Sequence, residues 1–175
     1  MPCIALIARK IRWWFPLLLW PGGLSAQACL VLSPANIDSA GAMSLTLSLY
    51  SSRRPAPAAV QWTFRYSSST IQGLTVDDGP ALTSAGKTAI CDGDAAGYHC
   101  LALGANTNTI ANGVIAKVVA VLAPGLTTAP IQIVDTLGAS SEGYVLPISP
   151  RIIPDTGATI SSDCRLHPLQ RGAVR

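Results

Sequence analysis

The sequence predicts an all-β domain built as a sandwich or jelly roll, and three observations predict it. The first is the stretch 58–78, AAVQWTFRYSSSTIQGLTVDD, where Val60, Trp62, Phe64 and Tyr66 alternate with Gln61, Thr63 and Arg65. A period of two gives a β-strand one apolar and one polar face. After a Ser-rich turn, Ile71, Leu74 and Val76 mark a second strand returning beside the first. The second observation is that about nine or ten such runs follow one another with turn residues between them, the pattern of a two-layer β-fold. The third is that no stretch carries a convincing helical period, so further strands supply the layer that covers the apolar face. The 175 residues are one domain's worth.

In chain order, Leu30 to Ser33 is a short first strand closed by Pro34. From Met43 to Tyr50, Met43, Leu45, Leu47 and Leu49 face one way, and Ser44, Thr46 and Ser48 the other. Residues 53–57 form a loop whose two prolines cannot donate to a ladder. The two central strands follow, then Asp77-Asp78-Gly79-Pro80 as a turn. Thr88–Cys91 and Tyr98–Leu103 flank a Gly/Asp/Ala turn. Asn112-Gly113 is a hairpin signal, because both residues tolerate positive φ. Val114–Leu122 is apolar on both faces except at Lys117, which predicts an inner strand. Ala129–Val134 alternates through Ile131 and Ile133, and Tyr144–Ile148 and Ile152–Ile160 close the series. The tail 161–175 lacks alternation, carries Arg165, Arg171 and Arg175, and is expected to be a disordered basic tail or a linker.

Residues 1–28 read as a secretory signal peptide. Arg9, Lys10 and Arg12 form the basic region, Trp13–Trp20 the short apolar region, and Ala26-Gln27-Ala28 the small-residue cleavage site. The apolar run is too short to span a bilayer, which takes about 20 residues. The formal charge of +3 belongs entirely to those three basic residues, and positions 29–175 hold nine Lys/Arg against nine Asp/Glu. No basic surface remains to argue for nucleic acid. The sequence thus predicts a secreted or cell-surface domain over 29–160, with a quiet Ser/Thr-rich exterior.

A family resemblance appears at the central strands. Trp62-Thr63-Phe64-Arg65-Tyr66, then Ile71, Leu74-Thr75-Val76 and Gly79, is similar to the cohesin signature, in which an aromatic strand leads to an L-x-x-V-x-x-G strand. Asn112-Gly113-Val114-Ile115-Ala116-Lys117-Val118 resembles the family's D-G-V-L-A-x-V strand. The resemblance covers roughly residues 30–160 in order. It implies a nine-stranded jelly-roll β-sandwich, a fold shared with several carbohydrate-binding modules. It also implies a non-catalytic role, namely recognition of a dockerin-like module in extracellular polysaccharide-degrading or surface assemblies. The alternative is a carbohydrate-binding module of the same fold that binds polysaccharide.

The candidate residues are few. Cys91 and Cys100 bracket eight residues, a spacing that suits a disulfide across a hairpin in an exported chain. Cys29 and Cys164 could join the two chain ends or stay free, but the resembled fold, whose first and last strands run parallel, implies opposite ends and weighs against a bond. Cys29 also follows the cleavage site directly, as in a lipoprotein, but Ala26 stands where such a signal has Leu. Trp62, Phe64 and Tyr66 are expected in the core, since exposing them would bury Gln61, Thr63 and Arg65. Tyr50, Tyr98 and Tyr144 are the candidate carbohydrate contacts. Asp92 with Asp94, and Asp77 with Asp78, fall short of the 6–8 oxygens that calcium takes and read as solvated turns. No cofactor or metal is expected. No G-x-S-x-G, H-E-x-x-H or phosphate-binding loop is present, and nothing sets Asp135 and Glu142 at a glycosidase spacing.

Overall fold

The computed structural model describes residues 28–37, 41–52, 55–94, 97–153, 158–160, 164 and 166–168. The leader lies outside them, apart from Ala28. Eleven strands and one short helix run in chain order. They are β1 (Ala28–Ile37), β2 (Ala42–Ser51), β3 (Ala59–Tyr66), β4 (Ile71–Asp78), α1 (Pro80–Ala85), β5 (Thr88–Asp94), β6 (Gly97–Leu103), β7 (Gly113–Leu122), β8 (Ile131–Ala139), β9 (Val145–Ile152), β10 (Ala158–Ile160) and β11 (Leu166–Pro168).

Nine of these strands form one curled sheet in the order β4-β7-β2-β1-β9-β8-β3-β6-β5. It folds into two layers, and β9 belongs to both. Val145–Pro147 pair antiparallel with β8, while Ile148–Ile152 pair parallel with β1. The predicted nine-stranded sandwich is therefore correct, as is the inner position of β7 between β4 and β2. The core lies between the layers. Leu30, Leu32, Leu45, Leu47 and Leu49 enter it from one side, Val60, Trp62, Phe64, Ile133 and Ile148 from the other. Trp62 and Phe64 are both fully buried and meet edge to face, with ring centroids 6.3 Å apart and planes at 80°. Such a pair is worth about 0.5–1.5 kcal/mol beyond area burial. Tyr66 sits at the core's edge, half-buried against the same cluster. Thr63, expected on the solvent side, does lie on the outer face but is buried there, its Oγ1 in hydrogen-bond contact with His99 Nδ1 at 3.0 Å.

The structure corrects the sequence reading in several places. The first concerns the turn expected at Asp77-Asp78-Gly79-Pro80: Asp77 and Asp78 end β4, and Pro80 starts a helix, α1. Pro80 pre-sets φ at the first helical position, and Gly86 closes the helix in the left-handed region at φ 64. The Gly86 and Lys87 amides donate to Thr83 and Leu82 carbonyls, and Ala81, Leu82 and Ala85 face the core. The Pro–Gly bracket was the local cue, but six residues are too few to show a period. The second correction concerns β1, which passes through Pro34 and continues to Ile37. The ladder to β2 shifts register between Pro34 and Ile37, the kind of irregularity where a strand tolerates proline. In the third, Asp92 and Asp94 are strand residues and not turn residues, since β5 pairs with β6 as far as Asp94 opposite Gly97.

The fourth correction is covalent. Cys91–Cys100 is bonded as expected, across directly opposed positions with Cα atoms 4.1 Å apart. Cys29–Cys164 is bonded too, with Cα atoms 5.9 Å apart. The premise that weighed against it holds, since β1 and β9 do run parallel. The expectation failed because it placed Cys164 at the end of β9. Ile153 still donates to Leu32, three residues from Cys29, and residues 154–163 intervene before Cys164. Ten residues extend to roughly 33–36 Å, against about 10 Å of strand to retrace. Of the tail 161–175, expected to be disordered or a linker, residues 161–163, 165 and 169–175 lie outside the described residues. The tethered Cys164 packs with Cys29, Val31, Tyr50 and Ile153 over the outside of β1 and β2. Leu166–Pro168 pairs with Ala158–Ile160 in a separate two-stranded ribbon, so Ile152–Ile160 is not one strand.

Candidate docking face

Once Cys100 faces the core, alternation turns Leu101 outward. Register then assembles a line across the β5-β6-β3-β8-β9 layer. Ile90 lies opposite Leu101, Leu101 opposite Gln61, Gln61 opposite Leu137, and Leu137 opposite Pro147. Five strands at about 4.8 Å spacing make the line roughly 19 Å long. Its apolar members are open to solvent: Ile90 is 63% exposed, Leu101 39% and Leu137 43%. Leu103 and Val145 widen it on one side, and Val145 is 67% exposed. On the other side the next line, Asp92–His99–Thr63–Val134, is polar except at Val134, and beyond it Arg65 lies opposite Gln132. Arg65 meets Asp135 at 4.0 Å, both side chains more than half exposed. A shallow cavity of about 300 Å³ opens between Ile90, Leu101, Gln61, Thr63, Asp92 and His99.

The outside of the other layer differs. Asp77, Lys117, Thr46 and Ser33 form one line across it, and Thr75, Val119 and Ser44 another. Its apolar residues nearest β1, Cys29 and Val31, lie under the Cys164 segment. Val121 is the exception, exposed on β7. A contiguous exposed apolar surface on one face of a domain marks an interaction site more often than single scattered residues do.

No protein-family model matches the chain, and no curated protein matches it in sequence. Solved structures do. The sixth cohesin of scaffoldin B from Acetivibrio cellulolyticus, solved with a Cel5 dockerin, is similar with a TM-score of 0.59 and 11% identity, over 73% of this chain and 99% of that one. A non-cellulosomal cohesin from Archaeoglobus fulgidus gives 0.56 and 7% identity, over 74% and 93%. A type I complex of Clostridium thermocellum, Coh-OlpA-Doc918, gives 0.55 and 12% identity, over 73% and 99%. In its fold this is a cohesin-like domain.

The cohesin-like domain does not bring the three candidate tyrosines together. Tyr50 packs on the Cys29–Val31–Cys164 cluster outside one layer, Tyr98 packs against the core, and Tyr144 is 69% exposed before β9. They form no shared aromatic platform. The carboxylates are likewise dispersed. Asp78 Oδ1 accepts from the Ala89 amide, Asp92 Oδ1 from Gly93, and Glu142 from the Ser140 hydroxyl. Among the described residues no group of three His, Cys, Asp or Glu is placed to hold a metal ion, and no helix is long and apolar enough to cross a membrane.

Thr63, His99 and Asp94 are linked in series, with His99 Nε2 3.2 Å from Asp94 Oδ1. The series does not assemble a nucleophilic centre. Thr63 is buried in mid-strand between β6 and β8, and the neighbouring amides are taken up by those ladders, so none is aimed at a developing oxyanion. The face residues Ile90, Leu101, Leu103, Leu137 and Val145 were missed in the sequence. For two of them the signal was present. A disulfide between Cys91 and Cys100 fixes both inward, which leaves Ile90 and Leu101 paired on the outside.

Proposed function

We propose that this cohesin-like domain is a secreted, non-catalytic docking module whose ligand is a dockerin-type protein module, bound on the β5-β6-β3-β8-β9 face. The observation that carries the proposal is the exposed line Ile90–Leu101–Gln61–Leu137–Pro147 with Leu103 and Val145 beside it. Burying a half-exposed Leu, Ile or Val recovers about 1 kcal/mol each, roughly half of full burial. That is reason enough for a partner to cover them. Two of the similar structures are cohesin–dockerin complexes, which supports a protein ligand. The apolar leader, the cleavage pattern and two disulfides support export.

The test is binding to an immobilised panel of dockerin modules and to proteins of the producing cell's culture fluid. Leu101→Asp and Leu137→Asp should weaken capture about 30-fold or more each, the size of an interface hot spot. Thr75→Asp and Ser44→Asp, on the other layer, should leave it unchanged. Equal capture by all four variants, or equal loss, would refute the proposal.

A further inference from the structure

β8 carries the one irregularity on this face. Gln61 lies opposite Leu137, but Thr63 lies opposite Val134, so Asp135 and Thr136 together face Trp62 alone. This is a β-bulge, with one extra residue on β8. Asp135 adopts φ 51, the left-handed region that few residues other than glycine occupy. The extra residue reverses the phase of the strand. Ile131 and Ile133 point into the core, so strict alternation would send Asp135 and Leu137 inward after them. Instead Asp135 and Leu137 are exposed, and Gly138 is buried against Ile148 and Leu146. The bulge also sits where the two layers part. Thr136 Oγ1 donates to the Ile148 carbonyl at 2.7 Å, just where β9 leaves β8 to join β1.

We propose that Asp135 is a positioning residue for the docking face: its left-handed backbone holds the bulge that turns Leu137 out of the core and into the apolar line. The functional meaning of this rests on the docking reading above. The geometry does not, and it can be read without any partner. The bulge needs a residue that accepts positive φ and an extra residue in the strand; it does not need the aspartate carboxylate itself.

The experiment measures maleimide labelling of an engineered thiol at position 137 (Leu137→Cys), relative to one at position 145 (Val145→Cys), in the otherwise intact disulfide-bonded chain. In the native background the two thiols should label at comparable rates. Asp135→Gly keeps the bulge without strain and should leave the ratio unchanged. Deleting Asp135 removes the extra residue and should slow labelling at 137 at least tenfold relative to 145. If the deletion does not fold, as judged by circular dichroism, Asp135→Val takes its place, since a β-branched residue resists positive φ; it should slow labelling in the same sense. Unchanged labelling at 137 in the folded deletion, or in Asp135→Val, would overturn the inference, as would slowed labelling in Asp135→Gly. Dockerin capture read on the same Asp135 changes in a chain that keeps Leu137 and Val145 separates the two ideas. If thiol 137 is hidden while capture persists, the docking reading fails and the positioning role of Asp135 stands.

Discussion

Trp62 supplies the largest buried side chain of the core, and its Nε1–H has no protein acceptor. Its contribution is therefore volume and ring contact, not hydrogen bonding. Trp62→Ala should cost about 3–5 kcal/mol, as large aromatic truncations do. Trp62→Phe should cost under about half of that, because it keeps the edge-to-face partner and removes an unsatisfied donor. Chemical denaturation of the two variants checks the order. Leu101 is the opposite case. Leu101→Asp should change stability by no more than about 0.5 kcal/mol, as surface substitutions do, while weakening docking. Lys87 is a third kind of residue, a buried cation whose Nζ donates to the Asn106 carbonyl at 2.7 Å. It fastens the loop after β6 to the end of α1, helped by Asn106 and Asn108 amides donating to Gly86 and Ala85 carbonyls. Lys87→Ala should cost about 1.5–3 kcal/mol, the range for charge-assisted hydrogen bonds.

Strand β5 is the weakest part of the docking face. None of its seven residues is buried, and its only ladder partner is β6. Cys91–Cys100 is its covalent fastening. By loop entropy this bond contributes about 2–3 kcal/mol, and Cys29–Cys164, closing nearly the whole domain, about 5. The two bonds should therefore separate in experiment. Replacing Cys91 and Cys100 by alanine should speed amide hydrogen exchange in 88–94 ahead of global unfolding. Replacing Cys29 and Cys164 should lower the denaturation midpoint further while leaving exchange in 88–94 tied to the global transition. Exchange in 88–94 that is indifferent to the first pair would show that the ladder alone holds β5. These strands also show where sequence was informative. Met43–Tyr50 and Val60–Tyr66 alternate cleanly because one face is core and the other points outward. β8 could be read that way only as far as Val134, because its bulge breaks the period halfway. β9 could not be read that way, because it changes layers at Pro147 and its two halves face different neighbours.

As a whole, the domain is a sheet curled until β1 and β9 meet in parallel, with Cys164 tied covalently to Cys29 on β1. The layered architecture was legible in the sequence because burying one face of each strand is a local requirement repeated along the chain. The proposed docking face was not, because its line is made by register between β5, β6, β3, β8 and β9, residues up to 86 positions apart between Gln61 and Pro147. The long disulfide was missed for the same reason, since its closure depends on how the chain returns after β9. Aromatic counting pointed to Tyr50, Tyr98 and Tyr144, which the fold separates, while the aliphatic residues that the fold gathers carry no motif. One layer is open to a partner, and the outside of the other is polar or lies under Cys164, apart from Val121. The most direct test of docking on the first layer is a hydrogen-exchange footprint of the domain with and without a captured dockerin module. Protection should appear in 59–65, 88–92, 99–103 and 134–139, with 42–48 and 113–121 unchanged. Protection confined to 42–48 and 113–121 would contradict it.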